Sequence, residues 1–391
     1  MASSAPTADE IAEIERLYER DQREGRVAVH ADELPIAFDK IAPEWFTEIL
    51  CGDVPGARVL SFELGPPDDG STSRRRIFLT YNEVGIQAGL PSSVFAKACH
   101  ALGSRIVSKL AGCEAAEHSF FRELRPELDL PCPVALYARH DPVSGNAMML
   151  LNDLGGKAEF CTLDTRIDRL RAEDMMHALA AIHGRFHLSR RLTGPGMALR
   201  TWPVFWEGQR ANGFEAYTNE GFLAAEAVIP SALFRRFEEV WPATQASVDM
   251  HQNLPYGLAH GDPHLRNWII SCEGRMGLTD WQGANIGHWS RDLAYAMSSA
   301  LSVEDRRAWE KELIRVYLDK LRGYGVEEIG FDQAFAWYRT QLFSALAYWT
   351  ITLRPSPGMA GNMQPEDSTL EIIRRISHAI DDLDAFAAFP R

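Results

Sequence analysis

A short segment in the second half of the chain interrupts a long run of helical pattern. This segment, residues 258–283, reads LAHGDPHLRNWIISCEGRMGLTDWQG and contains two strand-like runs, NWIIS and MGLTDW. Before it, apolar side chains repeat at the spacing of one helix face, as at Met175, Leu179 and Ile182. After it, Ser302 stands where it would cap another helix with apolar periodicity. The pattern predicts a helical domain that contains one irregular strand–loop–strand segment.

The first half of the chain has a different character. Its strand-like runs are separated by turn-dense loops and lie at residues 57–64, 74–83, 93–100, 131–140 and 146–154. The first three runs would form a small antiparallel meander, and a helical stretch follows them. We therefore expect an α+β fold, with a helical extension over 1–36, a small antiparallel-sheet lobe over 37–153 and a mainly helical lobe over 154–391.

Composition excludes several classes of function. Apolar residues make up 46% and charged residues 24% of the 391 residues, which is typical of a globular chain. Acidic residues outnumber basic ones by 54 to 40, so the net charge is −14 and we expect no nucleic-acid partner. No stretch approaches the roughly 20 apolar residues of a membrane span, so no membrane partner is expected either. Six scattered cysteines without a CxxC pair favour a reducing, cytoplasmic location over a disulfide framework.

The segment 258–283 carries the residue types that phosphoryl transfer requires. Such a reaction needs a carboxylate near the acceptor hydroxyl and hard oxygen ligands for a magnesium ion on the phosphates. Asp262 fits the first requirement, and Asn267 and Asp280 fit the second. Asn267 follows Asp262 by five residues and His260 precedes it by two, as in the kinase pattern H-R-D-L-x-x-x-N. Asp280 stands where the kinase motif D-F-G places its metal-binding aspartate.

The nucleotide side of such a site requires a lysine on a strand and a glutamate on the helix that follows. Lys97, in the strand-like run VFAKACH, fits the first role. Glu117 comes 20 residues later on a helical stretch and fits the second role, with Glu114 as a competitor one turn earlier. The turn between the first two strands could offer backbone N–H groups to the phosphates through Gly70, Ser71, Thr72 and Ser73.

These motifs resemble those of the aminoglycoside phosphotransferase and choline-kinase-like superfamily of small-molecule kinases. HGDPHLRN is similar to the superfamily signature H-G-D-x-H-x-x-N, and LTDWQ is similar to its metal-binding strand end. Asp292-Leu293-Ala294 is similar to a D-L-A string that recurs there. LPSSVFAK resembles the third strand of the ecdysteroid-kinase-like branch. The resemblance extends over roughly residues 38–385.

The resemblance implies a bilobal protein-kinase-like fold in which 258–283 is the catalytic loop. It also implies an ATP-dependent phosphotransferase that transfers the γ-phosphoryl group to a hydroxyl of a small molecule. Asp262 would be the catalytic base, His260 would belong to the same catalytic set, and Asn267 and Asp280 would hold Mg²⁺. The nucleotide, ATP or GTP, would be bound by residues of the N-lobe and the hinge, namely Lys97, Glu117, Leu151, Asn152 and Leu154.

Several alternatives stay open at this point. The chain could be a catalytically silent kinase-like scaffold that binds a nucleotide, a protein kinase, or a metal-binding protein that uses the HxDxH string. The acceptor alcohol could be an aminoglycoside, a choline-like compound, a steroid or another alcohol, and the protein could be a monomer or a dimer. Arg266 stands where the superfamily often has glycine, and it could bind phosphate or form a surface salt bridge.

Overall fold

The computed structural model describes residues 8–70, 72–210, 213–355 and 364–390. In these ranges the α-helices are α1 (Ala8–Glu24), α2 (Pro43–Leu50), α3 (Glu83–Gln87), α4 (Leu102–Ala111), α5 (Cys113–Ser119), α6 (Arg169–Arg185), α7 (Trp202–Arg210), α8 (Phe214–Ala224), α9 (Ser231–Phe234), α10 (Phe237–Asp249), α11 (Trp289–Ala300), α12 (Val303–Gly323), α13 (Phe331–Leu353) and α14 (Glu366–Asp382). The strands are β1 (Val59–Leu64), β2 (Asp68–Asp69), β3 (Ser73–Tyr81), β4 (Ser93–Ala98), β5 (Ala135–His140), β6 (Ala147–Asn152), β7 (Ala158–Phe160), β8 (Gly257–Ala259), β9 (Trp268–Ser271), β10 (Met276–Leu278) and β11 (Asn285–Gly287).

The chain forms two compact units. The N-terminal unit runs from α1 to Pro126 and includes Pro133–Gly155. The C-terminal unit comprises Glu127–Cys132 and the chain from Gly156 onward. Strands β1–β6 belong to the N-terminal unit, and β7–β11 belong to the C-terminal unit together with the helices from α6 to α14.

The N-terminal unit is built on an antiparallel sheet with the strand order β1-β3-β4-β6-β5, and β2 pairs with the beginning of β3. The three strand-like runs predicted between residues 57 and 100 are β1, β3 and β4, so the predicted antiparallel meander is confirmed. Their connector contains the short helix α3, which the sequence pattern did not predict.

Strand β3 shows why one face of this sheet is buried. Ile77, Leu79 and Tyr81 are buried, and the residues between them are exposed, as expected for side chains that alternate across a sheet. The buried side chains join one hydrophobic core with Trp45 and Phe46 of α2. Burial of these side chains provides most of the driving force for folding of this unit.

The C-terminal unit is mainly helical, as predicted. Met175, Leu179 and Ile182 are buried on α6, so the predicted helix face is confirmed. Helix α12 packs against α6, and the side chain of Ser302 caps its first turn by accepting a hydrogen bond from Asp305 N. Helix α13 packs against α8, α10, α11 and α14, which explains why it is buried along most of its length.

The predicted strand–loop–strand segment is also present. Strands β9 and β10 pair antiparallel, and β7 pairs with the other edge of β9. A second small sheet consists of β8 and β11. The sequence pattern did not indicate β7, β8 or β11, because alternation over three residues is too short to recognise. Within the described ranges, no helix has both the length and the apolarity to cross a bilayer.

Candidate active site

The His260-Gly261-Asp262 turn follows β8 directly and can form only with glycine at its centre. Gly261 has a φ of +84°, a region that favours glycine. A Cβ atom at this position would lie 2.0 Å from the carbonyl oxygen of Gly283. The backbone of the turn therefore approaches residue 283 more closely than any side chain would allow.

Asp262 lies at the end of this turn, and several polar groups surround its carboxylate. The Nδ2 atom of Asn267 donates to the Asp262 carbonyl at 2.8 Å and lies 3.3 Å from its Oδ2. The Nε2 atom of His264 lies 3.5 Å from the same Oδ2. Burial would raise the pKa of Asp262, but His264 and the hydroxyl of Tyr295 outweigh it and lower the pKa to about 2. The side chain is nevertheless 39% exposed, so an ionised carboxylate remains accessible.

Asn267 and Asp280 lie at paired ends of β9 and β10. The backbone N–H of Thr279 donates to the Asn267 carbonyl at 2.8 Å, and the Thr279 hydroxyl donates to it at 3.1 Å. The next residue, Asp280, has a φ of +55°, which is uncommon outside glycine and is typical of functional positions. The Asn267 amide uses Nδ2 for Asp262, so Oδ1 is the atom that would serve as a metal ligand. An amide oxygen and a carboxylate are hard donors that suit Mg²⁺, which normally takes its other ligands from phosphates and water.

In the part of the chain that the structure describes, no soft or nitrogen-rich metal site accompanies these two residues. Among the described residues, no group of three or more His, Cys, Asp or Glu side chains is placed to hold a metal ion. In particular, the HxDxH string does not form a cage, because His260 is fully buried and both of its ring nitrogens are engaged. The donor set fits a magnesium ion that shares a nucleotide.

His260 supports the turn from inside. Its Nε2 donates to the Thr279 carbonyl at 3.0 Å, and its Nδ1 accepts from the backbone N–H of Asp262 at 3.2 Å. Burial lowers the pKa of His260 below its ordinary value, so the ring stays neutral with this tautomer. This histidine therefore links the Asp262 turn to the strand that leads into Asp280.

Asp292, on the first turn of α11, holds the same turn from the other side. Its carboxylate accepts hydrogen bonds from the backbone N–H of His260 at 2.6 Å and of Gly261 at 3.0 Å. His183 lies 3.2 Å from the carboxylate through Nε2 and 2.9 Å from the Tyr317 hydroxyl through Nδ1. Burial would raise the pKa of Asp292, but His183 and Arg291 lower it below its ordinary value. Asp292 is therefore an ionised, buried brace of the turn.

In the N-terminal unit, Lys97 and Glu117 form a buried ion pair. The Lys97 Nζ lies 3.0 Å from Oε1 and 2.9 Å from Oε2 of Glu117. The side chains are only 7% and 1% exposed, respectively. The competitor suggested by the sequence, Glu114, has a side chain outside the described part of the structure. Burial and this ion pair restrict the position of the Lys97 ammonium group.

The predicted phosphate cradle lies in the β2–β3 turn. Gly70 N donates to the Thr72 carbonyl at 2.9 Å, Thr72 is buried, and Ser73 begins β3. Ser71 lies outside the described residues. Because the Gly70 N–H is used within the turn, it can reach a phosphate only if the turn opens, and the cradle remains a prediction.

The predicted hinge residues lie at the end of β6. Leu151 and Asn152 are its last two residues, and Leu154 follows, half-buried. The Oδ1 atom of Asn152 accepts from the backbone N–H of Val134 at 2.7 Å. Between them, Asp153 is bound by Arg76 at 2.7 Å and by the Ser93 hydroxyl at 2.7 Å. The side chains of this segment are therefore engaged with the sheet, and their contact with a nucleotide base remains a prediction.

Tyr295 and Arg291 are site residues that the sequence analysis missed. Tyr295 hydrogen-bonds Asp262, and Arg291 donates to the Gly261 carbonyl. A signal for Tyr295 was present, because it follows Asp292 by three residues and so lies on the same helix face. Arg291 had no such signal, since a buried arginine cannot be told from a surface one by its neighbours in sequence.

Comparison with known proteins places these features in a family. The sequence model described as the phosphotransferase enzyme family (APH) matches residues 107–329, which is more than half of the chain. The chain belongs to this family. This result confirms the resemblance stated from the HGDPHLRN motif, and it places the chain in a family of phosphotransferases. No match was found among curated proteins.

The chain is similar to several solved structures. Choline kinase from Cryptosporidium parvum Iowa II is 11% identical with a TM-score of 0.54, and the alignment covers 89% of this chain and 98% of that one. Macrolide 2'-phosphotransferase from Brachybacterium faecium is 15% identical with a TM-score of 0.44, and the alignment covers 86% and 91%. Choline kinase from Streptococcus pneumoniae is 14% identical with a TM-score of 0.46 and coverage of 86% and 98%. The first of these likenesses supports the kinase-like α+β fold.

Proposed function

We propose that this phosphotransferase uses ATP or GTP to phosphorylate a hydroxyl group of a small molecule, with Asp262 as the catalytic base. The observation that carries the proposal is the position of Asn267 beside Asp262. The Nδ2 atom of Asn267 donates to the Asp262 backbone carbonyl at 2.8 Å and lies 3.3 Å from its carboxylate. The backbone carbonyl of Asn267 accepts from the N–H of Thr279, the residue before Asp280. One asparagine thus links the carboxylate proposed for the acceptor with the carboxylate proposed for the metal.

Asp262 orients the acceptor hydroxyl and receives its proton. A carboxylate with a pKa of about 2 is ionised at neutral pH, so it accepts a hydrogen bond from a hydroxyl at all times. It is also a weak base, so the proton moves late, after the bond between the transferred phosphorus and the leaving oxygen has largely broken. This order suits a loose phosphoryl-transfer transition state. His260 and Asp292 act as positioning residues, because they touch the turn and not its accessible carboxylate.

Asn267 and Asp280 would hold Mg²⁺, which neutralises charge on the nucleotide phosphates when it is bound. Two side chains supply too few ligands to hold a magnesium ion alone, so metal binding should depend on the nucleotide. Activity should therefore disappear in excess chelator and return with added Mg²⁺.

Lys97 and Glu117 act on the nucleotide. The Lys97 ammonium would bind the phosphates that are not transferred, and Glu117 would keep it in place. The β2–β3 turn with Gly70, Ser71, Thr72 and Ser73 would lie over the phosphates. Leu151, Asn152 and Leu154 would contact the base, chiefly through backbone groups.

The test begins with a screen for nucleoside diphosphate release with ATP and with GTP. The acceptor panel contains aminoglycosides, macrolides, choline-like amino alcohols, steroids and simple aliphatic alcohols. Asp262→Asn is then compared with the parent in single-turnover kinetics with the best acceptor. We expect the rate to fall about 10²–10⁴-fold, because general-base catalysis is lost. Nucleotide affinity should change little.

Asp129→Asn is the matched control, since that carboxylate is fully exposed in the same unit. It should retain the parent rate. An Asp262→Asn variant that turns over at nearly the parent rate would exclude the proposed mechanism. A parent protein that binds nucleotide but releases no diphosphate with any alcohol would favour a silent scaffold instead.

A further inference from the structure

Helix α1 carries a buried acidic residue that the proposed chemistry does not use. On this helix the buried residues are Ile14, Leu17 and Asp21, which lie on one face. Burial of an ionised carboxylate is costly unless a charged partner compensates it. The buried carboxylate of Asp21 therefore requires a charged partner.

That partner is Arg105 of α4. The Arg105 Nη1 lies 2.9 Å from the Asp21 Oδ2, and the arginine side chain is fully buried. Its guanidinium carbon also lies 5.2 Å from the centre of the Tyr18 ring on α1. Within the described residues, Nε and Nη2 of Arg105 have no hydrogen-bond partner. Asp21 is thus the carboxylate that compensates a buried cation.

Helix α4 carries the buried arginine of this ion pair and packs against α1. Among its described side chains, the buried ones are Arg105 and Ser108, and none of the described apolar side chains is part of the sheet core. Its packing partners among the named elements are chiefly α1 and α5. A second contact with α1 joins Lys109 to Glu10 at 3.2 Å, and Lys109 also donates to the Pro142 carbonyl. These polar contacts connect α4 to α1.

The position of α4 determines the position of Glu117. Gly112, with a φ of 68°, is both the C-cap of α4 and the N-cap of α5. Glu117 is five residues further along and holds the Lys97 ammonium. A shift of α4 would move the start of α5 and, with it, the glutamate that fixes the lysine. We infer that Asp21 is a positioning residue for nucleotide binding, acting through Arg105 and α4 on the Lys97–Glu117 pair.

The first experiment compares Asp21→Asn with Glu13→Gln in the full chain. Both variants neutralise one carboxylate on α1, but Glu13 pairs with Arg16 at the surface. We expect Asp21→Asn to weaken ATP binding about fivefold or more in a calorimetric titration, because buried Arg105 loses its counter-charge. Glu13→Gln should bind ATP like the parent. Asp21→Glu, which keeps the charge, should recover most of the affinity.

The second measurement separates positioning from loss of the fold. Amide hydrogen exchange is followed without nucleotide in α5 and, as an internal reference, in β6. We expect Asp21→Asn to accelerate exchange in α5 and to leave β6 protected. An equal loss of protection in both elements would indicate a purely structural role. Unchanged exchange in α5 with unchanged ATP affinity would overturn the inference as well.

The inference rests on the proposed function of Lys97, and a third variant tests that premise. Lys97→Met removes the ammonium that the pair holds. If Lys97→Met binds ATP as tightly as the parent, the proposed nucleotide role of the pair fails. If Lys97→Met loses affinity and Asp21→Asn does not, the nucleotide role stands and only the role of α1 fails.

Discussion

At the scale of single residues, the backbone of Gly261 is held on both sides by charged side chains. Asp292 accepts the N–H of Gly261, and Arg291 donates to the carbonyl of the same residue. The Arg291 guanidinium in turn lies 3.8 Å from the ring centre of Trp202, and Asp292 is held by His183. Two neighbouring residues of α11 thus hold both polar groups of Gly261, and this arrangement determines where Asp262 points.

Gly261→Ala tests how strictly this turn is determined. The new Cβ would meet the Gly283 carbonyl, so the turn must move away from it. The variant Gly274→Ala is the control, because Gly274 has a similar φ of +78° but has no atom near a new Cβ. Gly274→Ala should cost about 1–2 kcal/mol of unfolding free energy from its backbone conformation alone.

We expect Gly261→Ala to lose clearly more unfolding free energy than Gly274→Ala, as measured by thermal unfolding. Gly261→Ala should also reduce turnover, whereas Gly274→Ala should keep the parent turnover. Equal losses of stability in the two variants would mean that the turn tolerates the added atom. In that case the close approach to Gly283 would not be what positions Asp262.

At the scale of elements, side chains cap the first turns of α6 and α12. Ser302 accepts from Asp305 N at 3.0 Å at the start of α12, and Asp168 accepts from Arg171 N at 2.9 Å at the start of α6. These two helices pack against each other, and α6 also carries His183. Capping of α6 and α12 therefore supports the position of the histidine that holds Asp292.

Ser302→Ala should lower the unfolding free energy by about 1 kcal/mol, because the Asp305 N–H loses its partner. The control is Ser189→Ala, since Ser189 precedes a short 3₁₀-helix without making a side-chain cap. Thermal or urea unfolding measures both. The same loss in both variants would show that the hydroxyl of Ser302 contributes nothing as a cap.

At the scale of the whole molecule, stability should depend on pH through buried carboxylates. Burial would raise the pKa of Asp153, but Ser93, the Gly155 N–H and Arg76 together lower it below its ordinary value. A group whose folded-state pKa is depressed stabilises the fold above its unfolded-state pKa, about 3.9 for aspartate. That contribution is lost as the pH falls through the folded-state value.

Asp153→Asn should therefore lower the unfolding free energy at pH 7. Below about pH 4, the unfolding free energy of this variant should fall less steeply with decreasing pH than that of the parent. Urea unfolding at a series of pH values measures this in the parent and the variant. Asp129→Asn, at an exposed carboxylate, should leave the curve of the parent unchanged. A parallel shift of the Asp153→Asn curve, with the same slope as the parent, would contradict the assignment.

The elements that were predicted correctly are those whose pattern is contained in the local sequence. The alternation of Ile77, Leu79 and Tyr81 predicts a strand with one buried face, which is β3. The helical spacing of Met175, Leu179 and Ile182 predicts a helix with one buried face, which is α6. The antiparallel meander, the helical second half and the family could be predicted from the sequence for the same reason. Strands β7, β8 and β11 were not, because three residues carry too little pattern.

The contacts that complete the site depend on pairs far apart in the chain. Spacing alone placed Asp262, Asn267 and Asp280 in one segment, but it left Glu117 and Glu114 as alternatives for Lys97. The hydrogen bond between Asp292 and the His260 N–H joins residues that are 32 positions apart in the chain. The ion pair of Arg105 and Asp21 joins residues that are 84 positions apart. A local pattern records which face of an element is buried. Only the packing of the elements decides which buried charge meets which partner, because a charge removed from water is stable only where its counter-charge lies.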